Sequence, residues 1–406
     1  KQLWSPVQIM NTSIDRLFDG KLSVENRYDY LNLNTCQFVW KQVKFPKVTD
    51  TSNATTQILK EGKVQGSDVA AHATGILDLK TSILSDADAL FLTAIDQYGH
   101  ELWRWTFPID KLNQPIEQYS PLSNRSTYTE TEKELTVKAN NRTFVFSKVD
   151  GQLKGVSIDN RKISFANGPR FIAARRADRS LDQFYNHDDE KAKEKDRTYS
   201  EFPDAAVFTN LDVKEDRGNL IVTAHYKLGN LDKAQWTINP SGVVTLDYTY
   251  NFSGVVDLMG IRFDYPEDQV LSKRWLGAGP YRVWQNRIHG TQYDIWENDY
   301  NDPIPGETFT YPEFKGYFGN VSWMNIRTKE GLISLTNETP NSYIGIYQPR
   351  DGRDRLLYTL PESGISVLNV IPPVRNKVNS TDLCGPSSQP KWVDGSKTGR
   401  IVFRFE

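Results

Sequence analysis

The segment Ala234–Phe252 reads AQWTINPSGVVTLDYTYNF. Apolar and polar side chains alternate on both sides of Asn239-Pro240-Ser241-Gly242, residues suited to a tight turn. A period of two sends successive side chains to opposite faces of a strand, so the segment predicts a β-hairpin. The same signature recurs in Thr143–Asn160, TFVFSKVDGQLKGVSIDN, with Asp150-Gly151 at its bend. Helical periodicity is nearly missing, whereas short alternating runs bounded by Gly, Asn, Asp and Pro repeat from end to end. An all-β chain is expected.

Length sets the domain count. The chain has 406 residues, and single cores rarely grow beyond roughly 250 to 300. Two domains are expected. From GKLSVENRYDYLNLNTCQFVWK, starting at Gly20, to HELWRWTFPI, ending at Ile109, the pattern suits about seven short strands, enough for an immunoglobulin-like sandwich. The stretch Asp110–Glu134 holds few large apolar residues and several Pro, Ser, Thr and Asn, which suits a surface linker. The expected boundaries are a connecting segment over 1–19, the sandwich over 20–112, a linker over 113–133 and a second domain over 134–406. The last is long for a simple sandwich and predicts a larger two-sheet supersandwich. Within it, HDDEKAKEKDRTYSE, from His187 to Glu201, reads as a solvated loop.

The formal net charge of -2 attracts neither phosphate backbones nor anionic lipid, so nucleic acid and membrane surfaces are not expected partners. No apolar run approaches the roughly 18 residues that cross a bilayer, and KQLWSPVQIM lacks the pattern of a secretory leader. Cys36 and Cys384 are the only cysteines. They fall in different expected domains, so no disulfide is expected, and without His spacing they make no zinc site. Cys36 shares parity with Phe38 and Trp40, which predicts a buried thiol on the inner face of a strand. No cofactor or metal motif is seen.

KLSVENRYDYLNLNTCQFVWK, beginning at Lys21, resembles the start of the immunoglobulin-like domain that follows the catalytic barrel in glycoside hydrolase family 2 β-galactosidases. FVFSKVDGQLKGVSIDNRKIS from Phe144, GPRF from Gly168 and LGAGPYRVWQNR from Leu276 resemble, in order, landmarks of the small-chain domain of the same enzymes. That domain's fold is similar to galactose mutarotase. The resemblance covers essentially the whole chain. It implies a C-terminal, non-catalytic portion whose partners are carbohydrate and a (β/α)₈ barrel, in the same or a partner chain, that carries both catalytic glutamates. It also suits a periplasmic or secreted bacterial setting and leaves room for an oligomer. The abrupt start KQLWSPVQI resembles the tail of the barrel-to-sandwich connection, which favours one part of a larger enzyme. Departures mark a divergent subfamily: STDLCGPSSQP puts Leu383 and Cys384 where the family's active-site tryptophan would fall, GPRFIAARRADRS lacks the family's tryptophan, and YPEFKGYFGNVSW differs around Glu313.

Sugars are bound by stacking C–H faces on aromatic rings while Arg, Asn, Glu and Gln take the hydroxyls. Trp284, Arg287, Glu313 and Tyr317 are the candidate carbohydrate-binding residues on that chemistry. Read as a strand, RVWQNRIHG puts Arg282, Trp284 and Asn286 on one face and Val283, Gln285 and Arg287 on the other. Neither face is purely apolar, so an open surface is expected, although Trp284 and Trp296 capping the sandwich and packing against a barrel stay open as readings. Catalytic residues are not expected in this chain. Mutarotase-like chemistry would need a Glu with a His, and His187, His225 and His289 are the candidates; His225 shares parity with Thr223 and Lys227 and is expected to face solvent. A stand-alone carbohydrate-binding or structural module is the alternative from another class.

Overall fold

A computed structural model describes residues 2–50, 53–109, 125–176, 199–299, 315–347, 361–373 and 385–406. Those residues form strands joined by turns and short 3₁₀ segments, with no α-helix among them. The fold is all-β. The chain divides into two compact units: Lys1–Gln114 with Leu276–Pro280 and His289–Trp296, and Pro115–Trp275 with Tyr281–Ile288 and Glu297–Glu406. Thus two pieces from late in the chain belong to the first unit, which sequence order does not announce.

In the first unit a three-stranded sheet places Lys21–Asn26 between Val7–Ile9 and Thr74–Asp78. A four-stranded sheet runs Gln57–Gln65, Gln37–Lys44, Ala89–Ile95, Glu101–Pro108, with antiparallel pairing throughout. Alternate residues Leu22 and Val24, Phe38 and Trp40, and Leu90 and Leu92 are buried in one core. Cys36 joins them, fully buried and unbridged, its Sγ donating to Tyr28 Oη at 3.8 Å. Burial pushes its thiol pKa up. The late pieces are fastened to this unit by polar contacts: Asp294 accepts from Arg104 at 2.9 Å and from Thr56 at 3.1 Å, and Gly290 N–H donates to Gln2 at 2.7 Å.

The second unit takes most of its strands from two large sheets, one of eleven strands and one of nine among the described residues. The opening hairpin forms as expected, with strands Leu231–Ile238 and Val244–Asn251 in register Trp236↔Leu246 and Ile238↔Val244. Gly242 sits at φ +82°, where an L side chain is strained. The Asn239 carboxamide oxygen accepts from the N–H groups of Ser241 and Val243 at 3.1 and 3.0 Å, which closes the turn. Trp236, Ile238, Val244, Leu246, Tyr248 and Tyr250 are all buried, as the alternation requires. The charge run departs from expectation at its end, because Tyr199–Glu201 is a strand paired with Ala174–Arg176. Its earlier part, with His187, lies outside the described residues.

Aromatic rings join the two sheets. Phe263 of the eleven-stranded sheet lies 6.0 Å from Trp236 and 5.7 Å from Phe403 of the nine-stranded sheet, and stacks at 4.6 Å on Phe165. Phe171 meets Tyr250 at 5.2 Å in the same way. Fully buried rings of this kind are the costliest side chains to delete. Phe263→Ala is expected to lower unfolding free energy by about 3–5 kcal/mol, read from urea denaturation. A loss below about 1 kcal/mol would show that the layer is not tightly packed.

Burial also protects Cys36. In native protein carrying Cys384→Ser, Ellman's reagent is expected to leave Cys36 unmodified, with one thiol appearing on unfolding. Fast native modification would place the residue outside the core.

Candidate functional site

Backbone pairing decides which residues share a face of the eleven-stranded sheet. Phe171 pairs with Ile261, and Ile261 with Val367, and this row faces the other sheet, where Phe171 meets Tyr250. Their chain neighbours therefore point the other way. On that outer face Arg170 pairs with Arg262 and Arg262 with Ser366, while Ile172, Gly260 and Leu368 form the next row.

The aromatic stretch covers part of this outer face. It forms a tight turn instead of the expected alternating strand: Val283 bridges Tyr317 through N–H···O bonds of 2.7 and 2.9 Å, and Arg287 N–H closes back on Trp284 O at 2.8 Å. The turn overrides the period of two. Val283, Trp284 and Gln285 are consecutive and all buried, whereas Arg287 is exposed. Trp284 and Tyr317 are 1% and 0% exposed and pack edge to face at 5.4 Å, in a cluster with Ile172, Leu258, Leu368 and Ile371. The expected open aromatic platform is thus a sealed layer in this chain. Gln285 fixes the turn by donating to Ser387 O at 2.9 Å and Gln389 O at 2.7 Å, and Asn286 donates to Ser388 Oγ at 3.0 Å. Trp296 belongs to the first unit, where its Nε1–H donates to Gly277 O and Gln292 O, both at 3.1 Å. The structure brings Trp284, Tyr317 and Arg287 together, and Glu313 lies outside the described residues.

Beside this layer, Tyr347 is buried under several cations: Lys273 Nζ is 4.8 Å and the Arg282 guanidinium 5.4 Å from the ring centre. Lys315 stands at 6.0 Å and is paired with Glu267. Such cation–ring contacts help to fix long side chains.

A crevice of about 310 Å³ opens elsewhere in the second unit, where the strand Ala166–Arg176 leaves one partner for another. Near its start Gly168 pairs with Leu153, and by Ala174 its partner is Glu201. Between these points stands Pro169, which has no N–H for a ladder. Gly168 leaves room for Phe263, since a Cβ there would lie 2.2 Å from its ring. Arg170, Arg262, Glu201 and Asp150 bring charge to the crevice, and Phe202, Phe208 and Tyr226 bring rings. Burial, and then the charge of Arg170, lower the Arg262 pKa. Burial raises the Asp150 carboxyl, but hydrogen bonds led by Lys154 at 2.6 Å hold it below its ordinary value. Burial and then the Asp150 charge drive the Tyr226 phenol well above its usual range. No histidine lines this crevice among the described residues. His225 instead pairs with Asp212 at 3.0 Å on a half-exposed surface, and His289 is exposed.

The crevice escaped the sequence reading because its residues come from five separate stretches, around 149–152, 169–171, 201–208, 226–231 and 262. The only signal was Gly168-Pro169-Arg170, noted above for another reason.

The beta galactosidase small chain family model matches residues 138–370, more than half of the chain. The chain belongs to that family. The matched span lies almost wholly in the second unit, including the crevice, Trp284 and Tyr317. Among solved structures, the chain is similar to galactose 1-epimerase from Lactobacillus acidophilus NCFM, at 11% identity and a TM-score of 0.42, over 70% of this chain and 99% of that one. No curated protein matches the sequence.

Burial of Trp284 fixes what its removal does. Trp284→Ala is expected to cost about 3–5 kcal/mol in chemical denaturation, as for a core ring. A cost under about 1 kcal/mol would return the ring to an open surface.

Proposed function

We propose that this chain is the non-catalytic C-terminal portion of a family 2 β-galactosidase-like glycoside hydrolase. Its β-rich units support a (β/α)₈ catalytic domain, in the same or a partner chain, and contact carbohydrate. The observation that carries this reading is the match to the small-chain family over residues 138–370. The three- and four-stranded sheets of the first unit, seven strands among the described residues, support reading it as the immunoglobulin-like sandwich that precedes a small-chain domain.

On this reading Trp284 and Tyr317 act as a rigid base. They hold the turn whose exposed Arg287 faces a glycan or the barrel, so their part in recognition is positional. A guanidinium on a fixed turn loses less entropy on binding than one on a loose loop.

Glycoside hydrolysis with retention needs two carboxyl groups about 5–5.5 Å apart, which the proposal assigns to the barrel. The purified chain is therefore expected to release no nitrophenol from a panel of nitrophenyl glycosides that includes the β-galactoside. Turnover that persists through repurification, and disappears on mutation of an acidic residue of this chain, would overturn the assignment.

A further inference from the structure

Arg170 and Arg262 are directly opposite one another on paired strands. Like charges in that position are destabilising unless something stands between or beside them to take the charge. Each guanidinium has five N–H donors, yet among the described residues this pair reaches few acceptors. Arg170 donates to Asp264, and Arg262 donates to Glu362 O and stands 3.9 Å from Glu201. The Nε–H of both arginines is buried without a hydrogen-bond partner.

The other carboxylates of the crevice are already engaged. Asp264 also accepts from Asn167 at 2.8 Å, and Asp150 is held by Lys154. Asp204 Oδ1 accepts backbone N–H groups of Ala206, Asn230 and Leu231 at 3.1, 3.0 and 3.4 Å. Glu201, 42% exposed, is the loosest partner of the arginines and the one a ligand displaces most cheaply. With Asp150 and Asp204 engaged by Lys154 and by backbone N–H groups, the two guanidinium groups and their unpartnered Nε–H groups are the donors the crevice leaves for a ligand, and an ionised carboxylate matches the planar fork of a guanidinium with two parallel bonds.

Apolar side chains line the crevice too. Phe208 and Tyr226 meet edge to face at 6.0 Å, and Phe202 and Leu231 flank them. Rings of this kind take the C–H face of a sugar. The volume of about 310 Å³ lies at the small end of ligand pockets, which span about 300–1,000 Å³. It suits one monosaccharide.

We propose that the crevice between Arg170 and Arg262 binds a hexuronate, its carboxylate on the two guanidinium groups and its ring against Phe202 and Phe208. The site is independent of any catalytic barrel, so its failure would leave the glycosidase assignment untouched. Hydrolytic silence of the chain, in turn, says nothing about this crevice.

Isothermal titration of the intact chain with glucuronate and galacturonate tests it, with glucose, galactose and acetate as comparators. At least one hexuronate is expected to bind about tenfold or more tightly than its parent hexose, to outbind acetate, and to weaken as salt rises. Arg170→Gln and Arg262→Gln should each abolish that preference while melting cooperatively. The wild-type comparison stands even where a variant fails to fold. Equal affinity for hexose and hexuronate, no hexuronate binding, hexuronate binding no tighter than acetate, or a preference that survives in both folded variants would overturn the proposal.

Discussion

The ring layer centred on Phe263 is the constraint on which the second unit depends. It ties Phe165, Trp236 and Phe403 into one packed contact. Because a strand sends alternate side chains to opposite faces, fixing Phe263 and Phe171 inward forces Arg262 and Arg170 outward. A one-residue slip of either strand would bury the guanidinium groups among phenylalanines, at the cost of an unpaired charge in a core. The chemistry of the outer face is thus held in place by packing on the inner face.

The same logic explains why so much of the fold is legible from sequence. The hairpin over Ala234–Phe252 carries local alternation, a turn whose glycine has a positive φ, and an asparagine that closes it, all in agreement. Cys36, Phe38 and Trp40 share a buried face for the same reason. Where the reading failed, local pattern was outweighed by tertiary contact. In Arg282–Arg287, Gln285, which seems to expose the segment, is instead spent on the backbone of another loop at Ser387 and Gln389. A glutamine that caps a turn and one that faces water look alike in a sequence. The Arg170–Arg262 pair was invisible for a different reason, since its register joins residues far apart in the chain and periodicity carries no such information.

The outer face also shows how one sheet divides its tasks between rows. Ile172 and Leu368 lie under a sealed aromatic cover, whereas the adjacent row of Arg170, Arg262 and Ser366 is polar. Cover and opening are therefore separated by two residues along each strand. Such closeness lets rigid packing hold polar groups that would wander if carried on loops.

The first unit has a consequence for how the chain is made. Its compact body includes Leu276–Pro280 and His289–Trp296, and Asp294 supplies acceptors to Thr56 and Arg104. A ribosome delivers residues in order, so this unit emerges early but waits for its last pieces until much of the second unit has been synthesised. In the interval Arg104 lacks its carboxylate and Phe45 lacks the ring of Tyr293. Completion of the first unit thus reports that translation has passed Trp296.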